Sequence, residues 1–242
     1  MKSKKNLLEQ LKSLPYFNKA AIRQFSRQYE LKDATIDTYI SRFLKRKEIF
    51  QLKKGLYVSA DFFNKNKSNI TYSFYLANIL RVPSYVSSWT ALQYYNLTTE
   101  SIYTITSITL KVTRTYKTKA GTFSYQSMKK ELFSDFSLVE GAPAPSSRGG
   151  FDFFIASPAK ALFDLLYFKT HQFRSVQFED IKTLIEELRI DIEEMDEKDR
   201  DAFYTMIKKY YAVRRRRTQA HITGRAEGAQ AHINKTRSDT IP

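Results

Sequence analysis

The chain has 242 residues and a formal net charge of +15, from 40 lysines and arginines against 25 aspartates and glutamates. It contains no cysteine and three histidines, which excludes disulfides, thiolate zinc sites and cysteine nucleophiles and leaves little material for histidine chemistry. No apolar run approaches the ~20 residues that span a bilayer, and the N-terminal segment lacks the apolar region of a signal peptide. We therefore expect a cytoplasmic protein, with no membrane partner, that binds a polyanion.

The positive charge is concentrated at the two ends of the sequence. Residues 1–60 hold 14 basic and 5 acidic side chains, whereas residues 61–212 hold 19 and 18. Residues 213–242 hold 7 basic and 2 acidic side chains, and they begin with four consecutive arginines, Arg214 to Arg217. With no aromatic residue and few apolar ones, residues 213–242 are predicted to be a disordered basic tail. The tail is either a nucleic-acid-binding arm or a solvated segment without a specific role.

The first sixty residues show apolar spacing that predicts three helices, over Lys4–Leu14, Lys19–Ser26 and Ala34–Lys47. Pro15 ends the first helix, and Asn18 and Asp33 are suited to cap the second and third. The apolar positions recur at helical intervals and should face a common core: Leu7, Leu8, Leu11, Leu14, Ala21, Ile22, Phe25, Ile36, Ile40, Phe43 and Leu44.

Two short apolar runs then flank a basic glycine turn. Ile49–Leu52 and Leu56–Val58 predict strands, and Lys53-Lys54-Gly55 predicts the hairpin turn between them. Three helices followed by a hairpin is the element order of a winged helix-turn-helix. In that arrangement the third helix enters the major groove and the hairpin, or wing, lies along the DNA backbone.

The exposed side of the third helix carries residue types that recognise DNA. Hydroxyl and guanidinium groups can hydrogen-bond base edges, which predicts that Thr35, Thr38, Ser41 and Arg42 read bases. Ammonium and guanidinium groups neutralise phosphates, which predicts that Lys45, Arg46, Lys53 and Lys54 hold the backbone. Asp37 would repel phosphate and should face a base edge or solvent. The alternative is a winged helix that contacts a protein, with these charges as a solvated face.

The rest of the chain predicts a linker over residues 61–69 and an α+β domain over residues 70–212. The expected helices cover Ile70–Leu80, a segment capped by Ser87 or Ser88, a segment capped by Ser157 with Pro158 as its first residue, Asp180–Arg189 and Asp199–Tyr211. The expected strands cover Ile102–Val112, Gly121–Ser127, Phe133–Val139 and Phe151–Ile155. Lys117–Gly121 should join the first two strands, and Gly141–Gly150 should be a loop.

The predicted α+β domain offers little for catalysis. It has no glycine-rich phosphate loop and no paired metal-ligand spacing, so we expect no cofactor, no metal and no catalytic residue. A metal-dependent nuclease could be built only loosely from Glu140, Asp152 and Lys160, or from Asp196 and Lys198. Asp164 is interpreted as a capping or structural polar group.

Three segments in sequence order resemble a known family. They are Ile40–Leu44 running into Gln51–Tyr57, then Tyr85–Leu97, then Ile155–Tyr167. Their order and spacing resemble the AbiEi family, the antitoxins of bacterial AbiE-type (type IV) toxin–antitoxin systems of phage abortive infection. The likeness covers about residues 5 to 212, and the arginine-rich tail is not part of the pattern.

The resemblance implies a winged-helix domain that represses its own operon by binding promoter inverted repeats. It also implies a C-terminal domain that counters a nucleotidyltransferase-like toxin, in a family whose two proteins are not usually thought to form a stable complex. Only the DNA-facing positions of the third helix and the Lys-Lys-Gly wing carry over residue by residue. The sequence thus predicts a DNA-binding autorepressor and antitoxin. A metal-dependent nuclease with a DNA-targeting domain and a regulator without a toxin are the alternatives.

Overall fold

The computed structural model describes residues 2–141 and 150–213. The chain forms two compact units, one ending at Leu165 and the other beginning at Leu166. Both contain helices, and the first also contains two β-sheets, so the mixed α+β class predicted from the sequence is confirmed. The predicted tail after residue 213 and most of the predicted loop between Gly141 and Gly150 lie outside the described residues.

The first unit begins with three helices that share one core. They are α1 (Lys2–Leu11), α2 (Lys19–Arg27) and α3 (Asp33–Lys45). All three contribute to a single apolar cluster, whose buried members include Leu7, Leu11, Ile22, Ile36, Ile40 and Phe43. The helical periodicity predicted these positions because each helix buries one stripe of side chains.

The ends of these helices test the predicted caps. The Asn18 side chain accepts a hydrogen bond from the Ala21 backbone N–H at 2.8 Å, which confirms Asn18 as the cap of α2. Asp33 is the first residue of α3 rather than its cap, because its carboxylate binds Arg23. Helix α1 ends at Leu11, three residues before the predicted end, and residues 12–14 form a turn ahead of Pro15.

A hairpin follows α3, as predicted. Its strands are β2 (Ile49–Lys53) and β3 (Leu56–Ser59), and Gly55 adopts a φ of +77° at the turn. A strand of only two residues, β1 (Phe17–Asn18), pairs with β3 and completes a three-stranded sheet in the order β1-β3-β2. Strand β1 was not predicted, because two residues show no periodicity.

The segment predicted as a linker contains a helix. Residues Ala60–Asn66 form α4, whose first turn is capped by the Ser59 side chain. Helix α5 (Ile70–Leu80) has the predicted bounds and is capped by Asn69. The Tyr72 hydroxyl donates to the Pro15 carbonyl at 2.7 Å, so α5 contacts the connection between α1 and β1 within the first unit.

A six-stranded mixed sheet forms the rest of the first unit. Its order is β6-β7-β5-β4-β9-β8, with β5 parallel to β7 and β4 parallel to β9. The strands are β4 (Ser84–Val86), β5 (Thr104–Thr109), β6 (Arg114–Thr118), β7 (Gly121–Ser127), β8 (Phe136–Val139) and β9 (Phe153–Ala156). The predicted strand over Ile102–Val112 is therefore shorter. Residues 117 and 118, predicted as a connection, belong to β6, which pairs antiparallel with β7.

Two helices cover positions that the sequence marked with serine caps. Helix α6 (Ser88–Tyr94) follows Ser87, whose side chain makes no capping hydrogen bond. Helix α7 (Pro158–Lys169) starts at the predicted proline, and the Ser157 hydroxyl accepts from the Lys160 backbone N–H at 3.2 Å.

The second unit contains the end of α7 and two further helices. Helix α8 (Ile181–Glu187) is shorter than predicted, and α9 covers residues 197–213. The buried apolar side chains of the second unit include Phe173, Ile181, Ile185, Phe203 and Ile207. Within the described ranges, every helix is too short or too polar to cross a lipid bilayer.

Candidate nucleic-acid interface

Helix α3 presents one exposed, polar face. A shallow depression on this face is lined by Asp37, Thr38, Ser41, Arg42 and Lys45. These positions recur at intervals of three and four residues, so they lie on the same side of the helix, opposite the buried Ile36, Ile40 and Phe43. Four of the eight predicted DNA-contacting residues are therefore brought together.

The other predicted positions on α3 lie at its edges. Thr35 is half-buried near the start of the helix, and the exposed Arg46 directly follows its last residue, Lys45. The Thr38 hydroxyl donates to the Ala34 carbonyl at 2.9 Å, so its remaining capacity toward a ligand is as an acceptor.

The two lysines of the hairpin turn have different environments. The Lys53 ammonium donates to the Leu80 carbonyl, the last residue of α5, at 2.6 Å, and its side chain is half-buried. Lys54 is exposed at the tip beside Gly55. Because the Lys53 ammonium already donates to the Leu80 carbonyl, Lys54 is the better placed of the two lysines to bind a phosphate.

Acidic side chains of α3 neutralise cations of α2. The Arg23 guanidinium binds both Asp33 carboxylate oxygens, at 3.0 and 2.7 Å. The Lys19 ammonium lies 2.6 Å from Asp37 Oδ1. Asp37, expected to face a base edge or solvent, is thus exposed and paired with Lys19. Asp37 was not among the predicted contact residues, although its helical spacing with Ser41 places it on this face.

Arg42 and Lys45 in the depression, and Lys54 at the hairpin tip, remain available to bind a ligand. No salt bridge involves Arg42, Lys45 or Lys54 among the residues that the structure describes. Exposed ion pairs such as Lys19–Asp37 contribute about 0–1 kcal/mol, so they orient the rim of the face more than they stabilise the fold. The arrangement can supply a guanidinium, hydroxyl groups and an ammonium to one polyanionic ligand.

Lys160 and Asp152, two residues of the nuclease alternative, have other partners. The Lys160 ammonium lies 2.7 Å from Asp164 and donates to the Leu132 carbonyl at 2.6 Å. Glu140 directly follows β8, and Asp152 directly precedes β9, which pairs with β8. Asp152 accepts a hydrogen bond from the Gly141 backbone N–H. In residues 2–141 and 150–213, no group of three or more acidic or histidine side chains is arranged to hold a metal ion.

In the second unit, Asp196 caps α9 by accepting from the Asp199 backbone N–H at 2.7 Å. The Asp196 carboxylate thus has a structural role as a helix cap, which accounts for its presence beside Lys198 without a metal site.

Lys160 and Asp164 form a buried ion pair within α7, and Asp164 also connects this helix to Tyr85 of β4. Asp164 Oδ2 accepts from Tyr85 at 3.1 Å and from Ser87 at 2.7 Å, and the two charged side chains are almost completely buried. Burial raises the pKa of the Asp164 carboxyl, against the opposing effects of Lys160, Ser87 and Tyr85. These contacts agree with the structural role predicted for Asp164.

No protein-family model matches this chain, and no curated protein matches it.

Proposed function

We propose that residues 1–60 are a winged helix-turn-helix domain that binds double-stranded DNA, with α3 as the recognition helix and the β2–β3 hairpin as the wing. The observation that carries the proposal is the exposed face of α3, where Thr38, Ser41, Arg42 and Lys45 line one depression. Arginine recognises guanine through two hydrogen bonds, and lysine neutralises phosphate. The concentration of basic residues in the same sixty positions supports this proposal.

The regulatory role follows from this binding activity. In this proposal the chain occupies its own promoter and blocks transcription there, as the resemblance to the AbiEi family implies, and so acts as a cytoplasmic autorepressor. An inverted repeat requires two copies on paired half-sites, one on each half.

The antitoxin role rests on the resemblance to the AbiEi family. In this proposal the chain counters a nucleotidyltransferase-like toxin encoded beside it, without a stable complex between the two proteins. Expression of the neighbouring gene alone and together with this chain tests the role. Growth arrest that the chain relieves is the expected result, and arrest that persists with the chain present contradicts it.

The DNA-binding proposal is tested with the purified full chain and the DNA upstream of its own gene. Binding to this DNA and to a scrambled sequence is measured across a salt series, with residues 214–242 present and deleted. We expect selective binding that survives the deletion. Weak, unselective binding that disappears with residues 214–242 contradicts the winged-helix assignment. Incubation with Mg²⁺ tests the nuclease alternative, since a repressor leaves the DNA intact.

A further inference from the structure

The depression on α3 contains a carboxylate among groups that suit DNA. Asp37 lines it together with Thr38, Ser41, Arg42 and Lys45. The Asp37 side chain is 56% exposed, and it lies one helical turn from Ser41 on the same side of the helix. An acidic side chain at this position needs an explanation, because the ligand proposed for this face is itself negatively charged.

The neighbouring helix holds the Asp37 carboxylate in place. The ammonium of Lys19, the first residue of α2, lies 2.6 Å from Asp37 Oδ1 and 2.9 Å from Oδ2. A carboxylate has roughly four lone-pair sites for hydrogen bonds, so Asp37 keeps capacity for a further donor. The ion pair therefore orients the carboxylate and offsets part of its charge without saturating it.

The chemistry of the major groove determines which base can meet a carboxylate. Guanine presents only acceptors there, adenine presents an acceptor beside its amino group, and thymine presents an acceptor and a methyl group. Cytosine presents the N4 amino donor, for which aspartate is a suitable acceptor. Phosphates repel a carboxylate because the charges have the same sign. A carboxylate on this face therefore favours cytosine over the other bases and over the backbone.

We propose that Asp37 is a specificity-determining residue that accepts a hydrogen bond from the N4 amino group of a cytosine in the segment that α3 reads. Lys19 acts through Asp37 as a positioning residue. The inference rests on the proposed function, because α3 must lie in the major groove for Asp37 to reach a base edge. Asp37 then attracts one base pair and repels DNA that presents another base, or a phosphate, at the same place.

A purely structural role of Asp37 gives a different expectation. In that case the carboxylate only holds Lys19 of α2 to α3, as Asp33 holds Arg23. Loss of the carboxylate then removes one negative charge from a surface that faces DNA and strengthens binding to every sequence by the same factor. The ratio of the affinities for specific and scrambled DNA stays constant.

The test compares Asp37→Ala with Asp33→Ala in the full chain. Each substitution removes one exposed carboxylate from α3 and deprives one cation of α2, Lys19 or Arg23, of that partner. Asp33 lies one turn before Asp37 and is therefore a matched control for charge and for the ion pair. Binding to the upstream DNA and to scrambled DNA is measured at one salt concentration, and thermal unfolding establishes that each variant is folded.

Asp37→Ala should lower the ratio of the affinities for upstream and scrambled DNA by about five- to a hundredfold, the range expected for the loss of one base contact. Its affinity for scrambled DNA should rise, because a repulsive charge is removed. Asp33→Ala should keep the wild-type ratio.

A modified base locates the contact. Substitution of each base pair of the upstream site in turn should identify a C·G pair at which the wild-type chain discriminates and Asp37→Ala does not. N4-methylcytosine at that position places a methyl group on the proposed donor and leaves the acceptors of the paired guanine intact. It should weaken binding by the wild-type chain and by Asp33→Ala, and leave binding by Asp37→Ala unchanged.

An unchanged affinity ratio in a folded Asp37→Ala variant, with selective binding by the wild-type chain, overturns this inference and leaves the proposed function intact. Equal losses of the ratio in Asp37→Ala and Asp33→Ala also overturn it, because loss of an ion pair between α2 and α3 then accounts for the effect. Equal sensitivity of wild type and Asp37→Ala to N4-methylcytosine overturns it as well, since another side chain then reads the cytosine. Absence of selective binding by the wild-type chain refutes the proposed function itself, and the role of Asp37 with it.

Discussion

Arg42 is the residue on the depression of α3 whose chemistry is most specific for a base. Its guanidinium is exposed and its neighbours Thr38 and Ser41 offer shorter hydrogen-bonding groups on the same face. A guanidinium that donates twice to guanine discriminates among base pairs, whereas a phosphate contact does not.

Replacement of Arg42 by alanine should therefore cost about 1–3 kcal/mol on the specific site and little on scrambled DNA. The measurement is the pair of dissociation constants at one salt concentration, for wild type and variant. Equal losses on the two DNAs would assign Arg42 to the backbone instead of the bases.

Lys53 and Lys54 are adjacent in sequence, but their expected effects differ. Lys54→Ala should reduce the salt slope by about 1 on every DNA sequence, because it removes one phosphate contact. Lys53→Ala should instead lower the free energy of unfolding by about 1.5–3 kcal/mol, the usual contribution of a hydrogen bond from a charged donor. Salt series and urea unfolding of both variants separate the two roles. A Lys53→Ala variant with wild-type stability and a reduced slope would show that the Leu80 contact is dispensable.

At the scale of single elements, α2 depends on the side chain that precedes it. Asn18 satisfies a backbone N–H of the first turn that has no partner within the helix. The same residue is the second position of β1, so it connects the short strand to the helix.

Asn18→Ala should lower the free energy of unfolding by about 1 kcal/mol, within the range of about 0.5–2 kcal/mol for capping residues. Asn18→Ser is the matched control, because serine can accept the same hydrogen bond. Urea unfolding of both variants provides the measurement. If serine is as destabilising as alanine, the loss arises from the strand and not from the cap.

Helix α7 contains the buried Lys160–Asp164 pair, and Asp164 connects the helix to Tyr85 of β4. Loss of one buried charge leaves the other without a partner, which costs about 3–5 kcal/mol. Replacement of both by apolar residues removes that penalty. Lys160→Met should therefore be more destabilising than the double variant Lys160→Met/Asp164→Leu. Urea unfolding checks the order, and a double variant less stable than the single one would show that the ion pair, together with the hydrogen bonds that Asp164 accepts from Tyr85 and Ser87, stabilises the fold.

The stability of the whole molecule should carry a pH dependence from the same pair. Burial raises the pKa of Asp164 above its ordinary value of 3.8, so the folded state binds this proton more tightly than the unfolded state. The stability contribution is fully present below the unfolded pKa and is lost as pH rises through the folded pKa.

We therefore expect the stability difference between wild type and Lys160→Met/Asp164→Leu to shift against wild type as pH rises above the ordinary carboxyl pKa of 3.8 and through the raised pKa of Asp164. Chemical unfolding of both proteins at matched ionic strength gives this difference, and the comparison cancels the repulsion common to both chains. A difference that grows in favour of wild type with pH would show that Lys160 lowers the carboxyl pKa more than burial raises it.

On the scale of the whole molecule, the fold places basic residues from separate parts of the sequence next to one another. The sequence places the basic excess in the first sixty residues and after residue 212. Strand β6 lies beside β2 of the hairpin, and the exposed cations Lys111, Arg114 and Lys117 lie in or just before this strand. The total over residues 61–212 does not show this local concentration of charge, because the basic residues of 101–130 are averaged with acidic residues elsewhere in that range.

Features that depend on residues close in sequence were predictable. Helix α5 has the predicted bounds, Asn18 caps α2 and Pro158 begins α7, because periodicity, capping and proline geometry act within one or two helical turns. The same local spacing placed Thr38, Ser41, Arg42 and Lys45 on one exposed face of α3.

Only the tertiary structure decided which distant groups satisfy one another. Lys53 holds a carbonyl 27 residues away, and Asp164 binds Ser87 across 77 residues. Strand β1 exists because β3 supplies its hydrogen-bond partners, and residues 117 and 118 join β6 because β7 does the same. The residue type determines which hydrogen bonds a group can make. Which group becomes its partner depends on the fold, because polar groups that become buried need a hydrogen-bond partner.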